Sequence, residues 1–519
     1  MNDFIQKFEK LLRIILGLVL LLGFIFSTAH AALVATPGQE PDFAAIDAYI
    51  EAQMKSTGIP GVALAIVHGD QIVHMKGFGI ADPAGRPMTP QTPVMLASLA
   101  KPMTGLAIMQ LFEAGKIDLD APVQEYIPWF RVADEAASAQ ITVRHLLYHT
   151  SGLPESAASE YGLSGDDRAD ALEQQVRELR TVALADPVGA AYHYSNPNYR
   201  VLGLLIQQIT GQSYEAYMQE HIFDPLDMRL TFTSPEAAQP QGLAKGYRFM
   251  YGIPLPYEEQ FDRGGVASGG IIASAEDVAH FLIINLNDGR YGDVQVVSPE
   301  GIKEMLRPAY PAGAEIWAWD WGVASVNGMQ VLTKGGDLSS YKTNMALFPE
   351  DKWGLVVLIN ANDRFAPLLQ DLSVAGLAMG VSSLMFGQQP PNLASNLPFV
   401  FRVLVALVVI VQVTGIFWSM IAFWRWGRQP EHRPRGMWGY VRYLGLPLII
   451  NLAWALVLLI GVPTILGGYP LSFLLYATPD LGYFLVVSGG AALVWGFLRT
   501  ALAYIVSRSA KQSELAHAI

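Results

Sequence analysis

A chain of 519 residues is too long for one compact core, and 51% hydrophobic against 15% charged residues calls for membrane spans. The absence of cysteine excludes disulfides, thiolate zinc sites and a cysteine nucleophile. A net charge of −12, with no long Lys/Arg cluster outside the membrane part, argues against nucleic acid as a partner.

Residues 1–31 read as an export signal. Lys7, Lys10 and Arg13 precede an apolar run at 14–26, and Ala29-x-Ala31 fits a cleavage site. An uncleaved anchor helix is the alternative, and either one puts the next domain outside the cytoplasm. A helical pattern at 42–56 is followed by strand-like runs at 62–67 and 71–77, joined by the hairpin signal His68-Gly69-Asp70. A turn-rich loop at 83–93 then delivers Ser98-Leu99-Ala100-Lys101, at the start of an apolar helical run over 99–112 that stops at Gly115. Positions i and i+3 share a helix face, so the Ser98 hydroxyl and the Lys101 amine point the same way, as a nucleophile beside its base requires. The helix start adds unpaired N–H groups suited to a developing oxyanion.

Residues 118–130 form a Pro-containing connection. Thr142 caps a short helix ending in His149-Thr150-Ser151-Gly152. His149 reads as a side chain fixing a loop beside the site, because Lys101 already offers a base. Tyr194-x-Asn196 lies on a turn before an amphipathic helix at 201–209 that stops at Gly211. A phenol there can shuttle a proton to a leaving group, and the amide can hold a substrate carbonyl. The Gly-rich run at 264–270 matches no phosphate-binding spacing and reads as a close-packed turn near the site, before a helix at 274–286. Trp317, Trp319 and Trp321 alternate as on a strand and predict core or cleft wall. Strands at 329–333, 341–348 and 354–360 follow, with Lys334-Gly335-Gly336-Asp337 at the end of the first. Two strands before the helical insert and three after it predict one antiparallel sheet, closed by a helix at 368–386.

A Gln-, Pro- and Asn-rich linker leads to three apolar spans near 403–424, 444–466 and 481–505. Arg425, Arg428, Arg433, Arg435 and Arg442 fall between the first two, and the loop 467–480 has no Lys or Arg. The positive-inside rule then makes the first loop and the C-terminus cytoplasmic, in agreement with an exported N-terminal domain. No acidic residue lies mid-span, so the spans read as an anchor or substrate platform rather than an ion path.

Ser98-x-x-Lys101, Tyr194-x-Asn196 and Lys334-x-Gly336 occur in that order on a helix start, a turn and a strand end. With them the chain resembles the serine β-lactamase and penicillin-binding-protein superfamily. The branch it is most similar to holds class C β-lactamases, D-Ala-D-Ala carboxypeptidases, D-aminopeptidases and family VIII esterases. Residues 146–153, Leu-Leu-Tyr-His-Thr-Ser-Gly-Leu, are a frequent signature of that branch. The resemblance covers roughly 42–386. It implies an α/β domain, with a central antiparallel sheet flanked by helices and an all-helical lobe across a cleft. It implies an acyl-enzyme route in which Ser98 attacks and Lys101 with Tyr194 takes its proton. Asn196, Lys334, Gly336 and Asp337 bind the substrate, and the oxyanion rests on the N–H groups of Ser98 and Asp337. Either a neutral Lys101 or an ionised Tyr194 serves as base, and either needs a depressed pKa. No metal and no cofactor is expected.

The third motif reads Lys-Gly-Gly where β-lactamases usually carry Lys-Thr-Gly. The missing hydroxyl predicts weak recognition of a β-lactam carboxylate, and the charge of Asp337 predicts a bias against anionic substrates. The division expected is signal 1–31, hydrolase domain 32–386, linker 387–402, three transmembrane helices in 403–507 and a cytoplasmic tail 508–519. The enzyme expected is a serine hydrolase of amides, peptides or esters on the inner membrane, facing the periplasm or cell exterior. Its partners are a small-molecule or peptide substrate and the lipid bilayer. A hydrolase followed by three spans also resembles the prodrug-activating peptidases of nonribosomal peptide pathways, of the colibactin-maturing kind, which remove an N-acyl-D-Asn cap. Two competing classes are a penicillin-recognising sensor that signals through its helices and a non-catalytic scaffold. Short cytoplasmic segments without H-E-x-x-H weigh against the first, and the intact Ser98, Lys101, Tyr194 and Lys334 against the second.

Overall fold

The computed structural model describes residues 40–155, 165–312, 315–326, 329–363, 374, 376–391, 397–429, 436–465 and 470–517. The signal expected at 1–31 and the beginning of the helix expected at 368–386 lie outside the described residues.

Helix α1 (Phe43–Thr57) begins where the Asp42 side chain accepts the Ala45 N–H, and ends at Gly58, whose φ of 78° suits a residue without Cβ. The hairpin β1 (Gly61–His68) and β2 (Gln71–Gly79) turns at Gly69-Asp70, as the sequence predicts. A second hairpin, β3 (Gly246–Met250) and β4 (Ile253–Tyr257), stands apart from the main sheet. The C-terminal part adds β5 (Tyr310–Ala312), β6 (Glu315–Trp317), β7 (Gly322–Val326), β8 (Met329–Asp337), β9 (Lys342–Phe348) and β10 (Trp353–Ile359).

The main sheet has eight strands in the order β2-β1-β10-β9-β8-β7-β6-β5, and every pairing is antiparallel. The chain's two ends are therefore sewn together by β1 against β10, from Val62 opposite Ile359 to His68 opposite Trp353. Three strands more than expected extend the far edge. The tryptophan run is the reason one of them escaped the sequence reading. Trp317 ends β6, but Ala318-Trp319-Asp320 is the bend into β7, with Asp320 at φ 59°. The alternation of tryptophans is that of a tight turn, not of a strand.

Strand parity decides the layers. Val62, Leu64 and Ile66 of β1 join Leu355, Val357 and Ile359 of β10 beneath α1 and a C-terminal helix, Leu377–Met385. Ala63, Ala65 and Val67, with Val356 and Leu358, face the opposite way into the larger core. Successive side chains of a strand point to opposite faces, so strands that are apolar at both parities must be covered on both faces. Helix α2 (Ala100–Glu113) and helix α4 (Ala275–Leu286, capped by Ser274) lie in that larger core, with helix α3 (Asn196–Thr210) in the helical lobe. Helices thus cover both faces of the sheet.

Helix α5 (Leu397–Arg428) opens the C-terminal part. Three stretches, Arg402–Trp426, Gly436–Ile465 and Pro479–Val506, are long and apolar enough to cross a membrane. The short helix α6 (Leu471–Ala477) connects the second to the third, which belongs to α7 (Pro479–His517).

Candidate active site

Ser98 does not sit on the α-helix proper. It is the middle residue of a 3₁₀ turn, Ala97–Leu99, that leads into α2. Ala97, just before it, adopts φ 52°, a left-handed backbone costing about 1–2 kcal/mol for a residue with a Cβ. Neighbouring elements hold the turn. Thr343 Oγ1 on β9 donates to the Leu96 carbonyl at 2.6 Å. A Cβ on Gly336 of β8 would fall 2.2 Å from Thr343 Oγ1 and 2.4 Å from the Leu96 oxygen, so only glycine lets the strand approach the nucleophile turn.

Lys101, the second residue of α2, is fully buried. Its Nζ donates to the Ser268 carbonyl at 2.6 Å and lies 2.9 Å from Ser98 Oγ. The glycine-rich segment at 264–270 supplies that carbonyl and also the Ala267 carbonyl that accepts from Thr104 of α2, so it is the close-packed turn expected. Burial holds the Lys101 pKa well below the ordinary lysine value, Lys334 and Arg200 push it the same way, and Asp320 only partly opposes them. On the other side, Tyr194 Oη is 2.7 Å from Ser98 Oγ. Burial raises the Tyr194 pKa well above a free phenol's, and the nearby Asp320 carboxylate raises it further. Of the two bases left open by the sequence, the site therefore favours a neutral Lys101, with Tyr194 kept as a proton donor.

Asn196 opens α3 directly after Ser195, the N-cap, and its side chain lines the cleft. Lys334 and Gly336 point from β8 towards the buried side, and Gly335 and Asp337 towards solvent. β8 is an interior strand, but β7 pairs with it only as far as Thr333. Residues 334–337 continue past β7 with β9 on one side, which leaves their other edge open to the cleft. That overhang is the strand edge an oxyanion donor at Asp337 needs. The Asp337 carboxylate itself is engaged by Lys342 Nζ at 2.6 Å and by Asn362 Nδ2 at 3.1 Å. Its charge is balanced locally, which removes the ground for the expected bias against anionic substrates.

Sequence reasoning missed Asp320. It is fully buried at the β6–β7 bend, with Lys334 Nζ 2.6 Å from its Oδ2 and His149 Nε2 donating to its Oδ1 at 3.0 Å. His149 Nδ1 accepts from the Ser195 N–H and from Asn198 Nδ2, both at 3.0 Å, which sets the tautomer with the proton on Nε2. Burial also lowers the His149 pKa, so the ring is neutral. His149 is thus a positioning residue under Tyr194, with ring centroids 4.7 Å apart. Burial alone would raise Asp320, but Lys334 and His149 outweigh it and hold the carboxyl below the usual range. Ala97, His149 and Asp320 all have left-handed backbones: Ala97 precedes Ser98, Asp320 pairs with Lys334, and His149 bonds Asp320, so three strained residues lie at the site. The available signal was a single carboxylate among three tryptophans in an otherwise apolar run.

Ser98, Tyr194, Asn196, Lys334 and Asp337 line one cavity of about 450 Å³, a size suited to a small-molecule or short-peptide group. A half-buried serine between an amine held well below its ordinary pKa and a phenol, beside a paired cation and an open strand edge, is an arrangement able to carry out acyl transfer. The beta-lactamase family profile matches residues 46–377, more than half of the chain, and the chain belongs to that family. Protein flp of Staphylococcus aureus (strain MW2) is 28% identical over 326 residues, covering 62% of this chain and 64% of that protein. The chain therefore matches less than two thirds of the length of this relative. The octameric penicillin-binding protein homologue from Pyrococcus abyssi superposes with a TM-score of 0.58 at 28% identity, over 71% of this chain and 82% of that one. A class C beta-lactamase superposes with a TM-score of 0.56 over 67% of this chain and 96% of its own, at 18% identity, a likeness of fold.

Proposed function

We propose that the protein is a membrane-tethered serine hydrolase that cleaves amide, peptide or ester bonds through an acyl-enzyme on Ser98. The observation that carries this reading is Ser98 Oγ held between Lys101 Nζ at 2.9 Å and Tyr194 Oη at 2.7 Å. Lys101 takes the hydroxyl proton as Oγ bonds the substrate carbonyl carbon. The N–H groups of Ser98 and Asp337 receive the oxyanion. Tyr194 gives its proton to the leaving nitrogen or oxygen and recovers one from Lys101. Water then attacks the ester, its proton passing to the same pair, and Ser98 is regenerated. Asn196 orients the substrate, and Lys334, kept as a cation by Asp320, places its ammonium against the Tyr194 ring.

The three apolar helices tether this domain to a membrane. The arginines between the first two spans, with none in the loop before the third, support an orientation with the cleft outside the cytoplasm, on the inner membrane. Within this reading D-amino-acid peptides are the favoured substrates, and N-acyl-D-Asn prodrugs are the specific candidate.

Product analysis by mass spectrometry tests it. The full chain and Ser98→Ala, in detergent, meet N-acyl-D-aminoacyl amides, D-Ala-D-Ala peptides, short-chain esters and a cephalosporin. Ser98-dependent cleavage of an N-acyl-D-aminoacyl amide is the expected result. A stable mass gain on Ser98 without turnover would overturn the hydrolase reading in favour of a sensor.

A further inference from the structure

The cleft is not closed by the hydrolase domain alone. Tyr476, on α6 between the second and third spans, lines the same cavity as Ser98. Its hydroxyl donates to Glu259 Oε2 at 2.9 Å. The other oxygen, Glu259 Oε1, accepts from Ser339 Oγ at 2.7 Å, Ser340 N at 2.7 Å and Ser340 Oγ at 2.9 Å. Ser339 and Ser340 belong to the short connection that follows Asp337, whose N–H is assigned above to the oxyanion. One carboxylate therefore ties a membrane-side helix to the strand end beside the nucleophile. The β3–β4 hairpin locks the same junction. Arg248 donates to the Tyr476 carbonyl at 3.3 Å, the Tyr251 N–H donates to Asp480 Oδ2 at 2.7 Å, and Tyr257 packs against the apolar cluster to which Phe473, Leu474 and Tyr476 belong.

We propose that α6 is part of the substrate site. Tyr476 is a specificity-determining wall of the cleft, and through Glu259 it is a positioning residue for the chain after Asp337. Both Glu259 oxygens are occupied, so this wall offers a substrate aromatic surface rather than a free carboxylate. With Phe261 and Leu338 beside it, it suits a long uncharged chain beyond the scissile carbonyl. On this proposal a long acyl chain contacts Tyr476 and a short one does not.

This rests on the serine-hydrolase reading, so the test separates the two. The full chain, in phosphatidylethanolamine–phosphatidylglycerol vesicles, is labelled with a short-alkyl and a long-alkyl fluorophosphonate, and the Ser98 adduct is followed by intact mass. Tyr476→Ala loses both the ring and the Glu259 bond, and is expected to slow the short probe about threefold and the long one about thirtyfold. Tyr476→Leu, which keeps apolar packing, should shift the ratio in the same direction. Tyr476→Phe keeps the ring but loses the Glu259 bond, and should slow both probes about equally, by about threefold. An unchanged ratio in Tyr476→Ala and Tyr476→Leu would overturn the wall, and unchanged rates in Tyr476→Phe the positioning role. Failure to label Ser98 in the unaltered chain would instead remove the hydrolase reading beneath them.

Discussion

Two lysines flank the Ser98–Tyr194 contact, and they differ only in what surrounds them. Both are buried, and their Nζ atoms lie 4.9 Å (Lys101) and 4.8 Å (Lys334) from the centre of the Tyr194 ring. Lys334 comes from the overhanging end of β8 and has the Asp320 carboxylate at 2.6 Å. Lys101 comes from the first turn of α2 and meets a carbonyl and a hydroxyl. Burial lowers the pKa of both, but Asp320 offsets much of it at Lys334 through a direct contact. A cation kept by a buried carboxylate is an electrostatic fixture, whereas an amine desolvated without a direct counterion is a base. In the proposed mechanism the same side chain thus takes two roles, decided by the partner each element brings.

The sharpest way to break this comparison is to remove each amine in turn. Lys101→Met is expected to lower the rate of Ser98 acylation by about 10³–10⁴-fold, the range of a lost general base, with no fall in thermal midpoint. Lys334→Met should do the reverse. It strands the buried Asp320 carboxylate and should cost about 3–5 kcal/mol of stability, read by denaturant unfolding, with a smaller loss of acylation than Lys101→Met. Equal midpoints for the two variants would contradict the assignment.

Removing the carboxylate sharpens it further. Asp320→Asn leaves Lys334 without its counterion, and should lower stability by about 2–4 kcal/mol and slow turnover. The sign of its pH dependence follows from the lowered folded-state pKa of Asp320. The native chain has this contribution in full above the unfolded carboxylate pKa, and loses it as pH falls through the folded value. Asp320→Asn should therefore show a shallower loss of stability on acidification.

The smallest effect expected is on the pH profile. The competent form of Lys101 is unprotonated, so a lowered pKa moves the acid limb of acylation below the ordinary lysine range. Tyr194, with its raised pKa, keeps its proton on the alkaline side. The acid limb should persist in Tyr194→Phe at reduced rate. A limb that disappears with Tyr194 would assign it to the phenol instead.

Much was legible in the sequence because it depended on local patterns. Helix α1, the β1–β2 hairpin, the helix stop at Gly211 and the three apolar stretches all follow from periodicity and from residues with special backbone freedom. So did the approximate positions of Ser98, Lys101, Tyr194 and Lys334, since each sits on a recognisable helix start, turn or strand end. What was misread depended on partners that only the fold supplies. Trp317, Trp319 and Trp321 are cleft wall and core, as expected, but their strand spacing becomes a bend once Asp320 must reach both His149 and Lys334. Asp337 looked like a free charge until Lys342, five residues on, folded back across the hairpin to meet it.

By itself the sequence determined which residues carry chemistry and which segments are apolar enough to bury or to span, because side-chain type and period are local properties. Only the tertiary structure favours, within the proposed mechanism, a neutral Lys101 over an ionised Tyr194 as the base. The burial and charges that set these pKa values come from other elements, Asp320 lying more than a hundred residues from Lys101 and Tyr194 in the chain. It alone also brought Tyr476 to the cleft, a contact between segments whose sequences hold no mark of each other.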